Sequence, residues 1–255
     1  MKQGTLARAF IAGVFISITC VMVTLAGALP AHAEDAPSDD CQASAAGEAY
    51  RNLPAPYAPG PSTAIVHVRV GGQNFYVPQN YFRHPAIGCG AEEQGFLLRV
   101  LLPDMEGYTA ANADEIEGVD KPGWGRRMNI LVQALEGARD YMRFVFHPFS
   151  GGVDPNGTYP TQYGLLHARS NRVRSGPPHT EIDVFFPAGV ETARHFIVCA
   201  AVEAVPSPGC AHHFFYLGLQ TKVTYGRDHL PQWREIETKV RSLLDQFGSQ
   251  PRKEE

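Results

Sequence analysis

Four side chains in the last quarter of the chain have the types and spacing to act together: His195, Cys199, Cys210 and His212. His195 to Cys199 and Cys210 to His212 lie in β-branched and aromatic runs, and residues two or four apart in a strand point to one face. Ala200 to Gly209 joins the runs, and its Pro206-Ser207-Pro208-Gly209 is strong turn chemistry. A hairpin would therefore bring all four groups to one side. That spacing suits a Cys199–Cys210 disulfide or a Cys2His2 metal site. Thiols in an oxidising compartment pair before they bind zinc, so the disulfide is the expected outcome, with Cys41 and Cys89 left as a second pair.

His179, Glu181 and Asp183 also alternate along a run that reads as a strand. They could form a ligand or acid–base cluster, but the solvated side of an alternating strand accounts for them more simply. Asp154-Pro155-Asn156-Gly157-Thr158 starts like a calcium loop and lacks the carboxylate at its twelfth position, Leu165, so a turn is expected. The sequence contains no Gly-x-Ser-x-Gly, His-Glu-x-x-His, Walker or dinucleotide motif, which weakens an enzymatic reading. No catalytic residue and no cofactor is assigned. Arg169, Arg172 and Arg174, with Tyr159 and Tyr163 upstream, are candidates for contact with a protein partner, although a solvated loop explains the arginines more simply.

These residues must be held by strands and one helix. Ala64 to Val70 alternates, Gly71-Gly72 is a tight turn, and Gln73 to Val77 returns. Further strands are expected at Phe96 to Leu102, Met128 to Leu135, Tyr141 to Phe146, Tyr163 to Arg169, Glu181 to Phe186, Arg194 to Cys199 and Cys210 to Leu217. The last of these is expected to be prolonged through Val223 and Tyr225 to Arg227. Trp233, Ile236, Val240, Leu243, Leu244 and Phe247 recur at helical spacing, with Pro231 near the start and Gly248 at the end. Such a stripe must pack, which predicts a buried Trp233. The fold expected is α+β, a mostly antiparallel sheet packed against a C-terminal amphipathic helix.

Lys2 and Arg8 precede an apolar run from Ala9 to Leu29, and Ala31-His32-Ala33 offers a signal-peptidase site. Residues 1–33 are therefore read as a signal peptide for the general secretory route and 34–62 as a flexible leader. Residues 63–248 are read as one domain and 249–255 as a disordered tail. An uncleaved anchor is the alternative at the N-terminus. Loss of two cations with the signal takes the net charge from −4 to −6, which argues against nucleic acid or an anionic membrane as partner.

The segments Phe75 to Phe82, Leu101-Leu102-Pro103-Asp104, and Cys210-Ala211-His212-His213-Phe214 through Tyr225, Arg227, Leu230-Pro231, Trp233 and Ile236-Glu237 resemble small exported proteins of Gram-negative bacteria. Some of those look like periplasmic immunity partners of secreted antibacterial effectors. The resemblance implies a periplasmic binding protein without catalytic activity, whose partner is a secreted effector or an envelope protein. An envelope hydrolase or metal-dependent enzyme using His179, Glu181 and Asp183, or His195 and His212, is the alternative.

Overall fold

The computed structural model describes residues 62–82, 92–118, 123–135, 145–172, 180–189 and 195–248. The expected signal peptide, nearly all of the leader, Cys41, Cys89, Arg174, His179 and the C-terminal tail lie outside the described residues.

The first hairpin is β1 (Ile65–Val70) and β2 (Gln73–Pro78), turned by Gly71-Gly72, both at positive φ as a type I′ turn needs. With β3 (Glu92–Glu93), which pairs parallel to β1, it forms a three-stranded sheet in the order β2-β1-β3. The main sheet contains β4 (Gly95–Leu101), β5 (Arg127–Gln133), β6 (Thr161–Gln162), β7 (Leu165–Arg172), β8 (Thr180–Phe186), β9 (His195–Ala200), β10 (Gly209–Tyr216) and β11 (Leu219–Gly226). Its order is β4-β5-β11-β10-β9-β8-β7-β6, antiparallel throughout. Short helices α1 (Ala113–Glu117) and α2 (His147–Ser150) sit in connections, and a 3-10 segment (Arg227–Gln232) leads into α3 (Trp233–Gly248). The molecule is α+β, with a mostly antiparallel sheet and the C-terminal helix packed on it.

Two of the expected elements differ. The strand ending at Cys210 to Leu217 does not continue to Arg227, because Leu217-Gly218 reverses the chain and β11 runs back beside β10. Both turn residues have positive φ, 52° and 76°. Leucine is a poor signal for that conformation, which glycine or asparagine normally takes. At Tyr141 to Phe146 only Val145 and Phe146 are described, and they form a helical turn into α2 rather than a strand. Pro148, in the first turn of α2, suits a helix start where no N–H partner exists.

Two cores flank the main sheet. On one side Leu98, Val100, Ile130, Val132, Val223 and Tyr225 pack with Val68, Val70, Phe75 and Val77 from the hairpin and with Ile236, Val240, Leu244 and Phe247 from α3. On the other, Val145, Phe146 and Val153 cover Ala168, Ile182, Val184, Phe186, Phe196 and Val198. Strands β8 and β9 are thus buried on both faces, which is why Phe185-Phe186 and Phe196-Ile197-Val198 are continuous apolar runs rather than alternating ones.

Candidate functional site

Hairpin pairing places Cys199 directly opposite Cys210, and their sulfurs are joined, with Sγ–Sγ 2.04 Å and Cα–Cα 4.0 Å. A residue pair opposed in an antiparallel ladder has its Cβ atoms within bonding reach. The cysteines hold each other, so the Cys2His2 arrangement that the spacing allowed is not formed. Among the described residues no group of three His, Cys, Asp or Glu side chains could hold a metal ion. A disulfide fits an exported protein. No helix of the described residues is long and apolar enough to cross a membrane.

His195 and His212 do meet on the face bearing the disulfide, with ring centroids 6.2 Å apart. Helix α3 closes over them. Trp233 packs its ring 5.2 Å from His195 and 5.8 Å from His212, and its Nε1 donates to the Tyr163 carbonyl at 3.0 Å. One turn on, Glu237 reaches into the same space, with Oε2 3.2 Å from His212 Nε2 and 3.9 Å from His195 Nδ1. Its Oε1 accepts from Arg241 Nη2 at 2.6 Å. Burial pushes both histidines below their usual pKa, more than the nearby carboxylate restores. Burial would raise the Glu237 carboxyl, but the His212 and Arg241 contacts outweigh it and hold it at about 2. Since His212 is kept neutral, Arg241 supplies the positive charge at neutral pH. The Tyr225 hydroxyl, buried nearby, is pushed upward by desolvation and by Glu237. This cluster pins α3 to the sheet from beneath.

A second polar cluster forms beside the disulfide. Asp183 pairs opposite Cys199 and is 0% exposed. Arg227 lies 2.6 Å from its Oδ2, while His167 and Arg169 lie 2.9 and 3.2 Å from its Oδ1. Burial opposes ionisation of Asp183, and the hydrogen bond from His167 together with Arg227 and Arg169 overcomes it, so its pKa falls. Asp183 is therefore not on a solvated face as its alternation suggested. Its cation comes from the 3-10 segment after β11, which no local pattern reveals. Glu181, half exposed, approaches Arg169 at 3.9 Å.

Of the residues considered for partner contact, Arg169 also donates to Glu203 at 2.9 Å. Tyr163 is 41% exposed at a turn with φ 53°. Tyr159 stacks edge-on against Phe186, with centroids 5.6 Å apart. Arg172 is the last residue of β7. Asp154 Oδ1 accepts from the Asn156 N–H at 3.0 Å, the local turn expected there.

The feature that sequence reading missed is the face of β4, β5, β11 and β10 turned away from α3. Pairing aligns three rows across it: Arg99, Asn129, Thr224 and Ala211; Leu97, Leu131, Lys222 and His213; Gly95, Gln133, Gln220 and Phe215. Leu97, Arg99, Asn129, Leu131, Ala211, Lys222 and Thr224 are each partly exposed. Side chains bridge the strands: Arg99 Nε donates to Asn129 Oδ1 at 3.2 Å, and Gln133 Nε2 to Gln220 Oε1 at 2.7 Å. At one end a cleft of about 350 Å³ runs between Trp124 and Phe149 over Ala200, Gly209 and Ala211, with Lys222 on its border. Trp124 lies flat on the opposed pair Gly209 and Gly226, and a Cβ at Gly209 would come within 2.6 Å of its ring. A strand at Met128 to Leu135 was expected from the sequence, but not which of its faces would be left uncovered, and β11 was expected only as a prolongation of β10.

No family model matches the chain, and no curated protein does. Two solved structures are similar in fold. One is Smlt3025, an immunity protein of the Stenotrophomonas maltophilia type IV secretion system, at 16% identity and a TM-score of 0.49, over 73% of this chain and 94% of that one. The other is the Neisseria meningitidis iron-regulated outer membrane lipoprotein FrpD, at 12% identity and a TM-score of 0.45, over 74% of this chain and 96% of that one.

Proposed function

We propose that this chain is an exported periplasmic protein that acts by binding another protein rather than by catalysis. In its sharpest form the partner is a secreted effector that it neutralises. The observation that carries the reading is the partly exposed face of the main sheet, four strands wide and walled by two aromatic rings. Rigid strands present side chains on such a face with little ordering cost on binding. The polar clusters support the same reading, because their charged groups are committed to one another and to holding α3. Residues 1–33 act as the signal, 34–62 as the leader, 63–248 as the binding domain and 249–255 as a tail.

Protein carrying a C-terminal tag, recovered from the periplasmic fraction, is expected to have lost residues 1–33 by intact mass. Native mass spectrometry of the same material is expected to show a second polypeptide in fixed ratio. Cytoplasmic recovery, or a bare monomer in the producing cell, would sink the reading.

A further inference from the structure

We infer that His195 and His212 form an acid-operated latch: when they take up protons, the Trp233 ring swings off them and opens the space beneath α3 to water, while the helix itself stays docked. The inference is independent of what the chain binds. Both imidazoles lie on one face of the β9–β10 pair, and Trp233 is the ring laid across them, 5.2 Å from His195 and 5.8 Å from His212. His212 is 0% exposed, and neither its Nδ1 nor His195 Nε2 has a hydrogen-bond partner among the described residues. Neutral rings pack this way; the second N–H that protonation adds to each finds no acceptor prepared for it. The His195 side chain is 24% exposed, so protons reach the pair from its side.

The groups around the pair decide what a proton does there. From α3, Glu237 offers one carboxylate to both rings, with Oε2 3.2 Å from His212 and 3.9 Å from His195, and its Oε1 is already held by Arg241 at 2.6 Å. Arg234, over the Trp233 ring at 5.0 Å, adds a further cation from the same helix. From β11 comes the Tyr225 hydroxyl, which stays neutral, and from the β6–β7 turn the Tyr163 carbonyl. Two imidazoliums would therefore share one carboxylate with Arg241 and have Arg234 close by, in a space where burial already penalises charge. Water relieves that crowding, and Trp233 is the group that can admit it. Its Nε1 is held by the carbonyl of Tyr163, on a surface turn where that tyrosine is 41% exposed. Ile236, Val240, Leu244 and Phe247 remain in the core with the β1–β2 hairpin, which confines the opening to the start of the helix. The swing releases the β6–β7 turn as well, so the surface around Tyr163 differs between neutral and acid pH. Histidine is the side chain suited to a switch in that range.

The test labels the protein with fluorotryptophan and follows fluorine NMR from about pH 8 to about pH 4.5. The chain has 2 tryptophans, and Trp124→Phe assigns the two signals. Below about pH 6.5 the Trp233 signal is expected to move toward that of free fluorotryptophan, while the Trp124 signal and the far-UV circular dichroism stay constant. The ratio of open to closed protein should rise about tenfold per pH unit if one proton is linked to opening, and about a hundredfold if both histidines are. His195→Gln combined with His212→Gln should hold the Trp233 signal at its closed position throughout. If that double variant does not fold, His195→Gln alone, at the partly exposed ring, should lower the steepness by one proton. A Trp233 signal that stays fixed to pH 4.5 overturns the inference. So does a Trp233 shift that the histidine substitutions leave unaltered. Movement of both tryptophan signals together with loss of circular dichroism also overturns it, since that is acid unfolding of the whole domain and not a latch.

Discussion

Asp183 shows how one residue's environment is set by groups far away in sequence. A carboxylate taken out of water survives ionised only with close cations, and Arg227 at 2.6 Å is the nearest. Arg227 also donates to the Ala200 carbonyl at 2.6 Å, so it ties the start of the helix-bearing segment to the end of β9. Arg227→Met leaves the buried carboxylate short of its partner, and a loss of about 3–5 kcal/mol is expected in urea denaturation. Replacing Asp183 with Asn in the same background should recover part of that loss, since the uncompensated charge goes with it.

The buried histidines impose a pH dependence with a definite sign. His195 and His212 have folded pKa values below the unfolded 6.5, so between the two values the unfolded chain binds protons that the folded one refuses. Stability should therefore fall as pH drops through about 6.5 and level off below the folded values. Glu237, lowered from 4.5 to about 2, stabilises fully above 4.5 and loses that contribution as pH falls from 4.5 toward 2. Melting temperature measured from pH 8 to 3 is expected to decline in these two stages. His212→Gln should flatten the upper stage, and an unchanged upper stage would show that His212 is not its source.

At the scale of elements, α3 depends on its first turn. Trp233 is 6% exposed, lies against both histidines and bonds to the β6–β7 turn. Trp233→Ala removes that contact and opens a cavity, with an expected cost of about 3–5 kcal/mol. An unchanged urea midpoint would contradict a structural role for this ring. Trp124 tests a different element, the connection from α1 to β5. Gly209→Ala drives a Cβ into its ring and should lift the indole off the sheet. The emission of Trp124, read in that variant against the wild type, is expected to shift to the red.

For the whole molecule, the disulfide is the covalent constraint observed among the described residues, closing a loop with a sequence separation of 11. The chain-entropy relation for so short a loop gives about 3 kcal/mol. Reduction under native conditions should lower the denaturation midpoint by a corresponding amount and leave the fold present, because the two cores do not depend on the bond. A protein that unfolds outright on reduction would show that the core supplies less stability than its buried side chains suggest.

Features legible in the sequence were those whose cause is local. The α3 stripe follows from 3.6-residue periodicity, the β1–β2 hairpin from Gly71-Gly72, and the Cys199–Cys210 bond from two strand-forming runs joined by a Pro/Gly turn. The Leu217-Gly218 reversal was hidden because leucine seldom takes positive φ, and tertiary pairing of β10 with β11 overrode that preference. At the end of the expected Tyr141 to Phe146 strand, the described Val145 and Phe146 form a helical turn for a similar reason, since an aromatic, β-branched pair packs on β8 and β9 equally well from a helical turn. What only the tertiary structure decided is which side of each strand is covered. Pleating dictates that Asn129 and Leu131 face one way and Ile130 and Val132 the other, whichever neighbours arrive. It was the docking of α3 and the β1–β2 hairpin on the Ile130 side, and the passage of β11 between β5 and β10, that buried one face and left Arg99 and Lys222 on the open one. The same long-range order carried Arg227 to Asp183 and Glu237 to His212, because burial energy is collected between elements and no pattern within a single element records it.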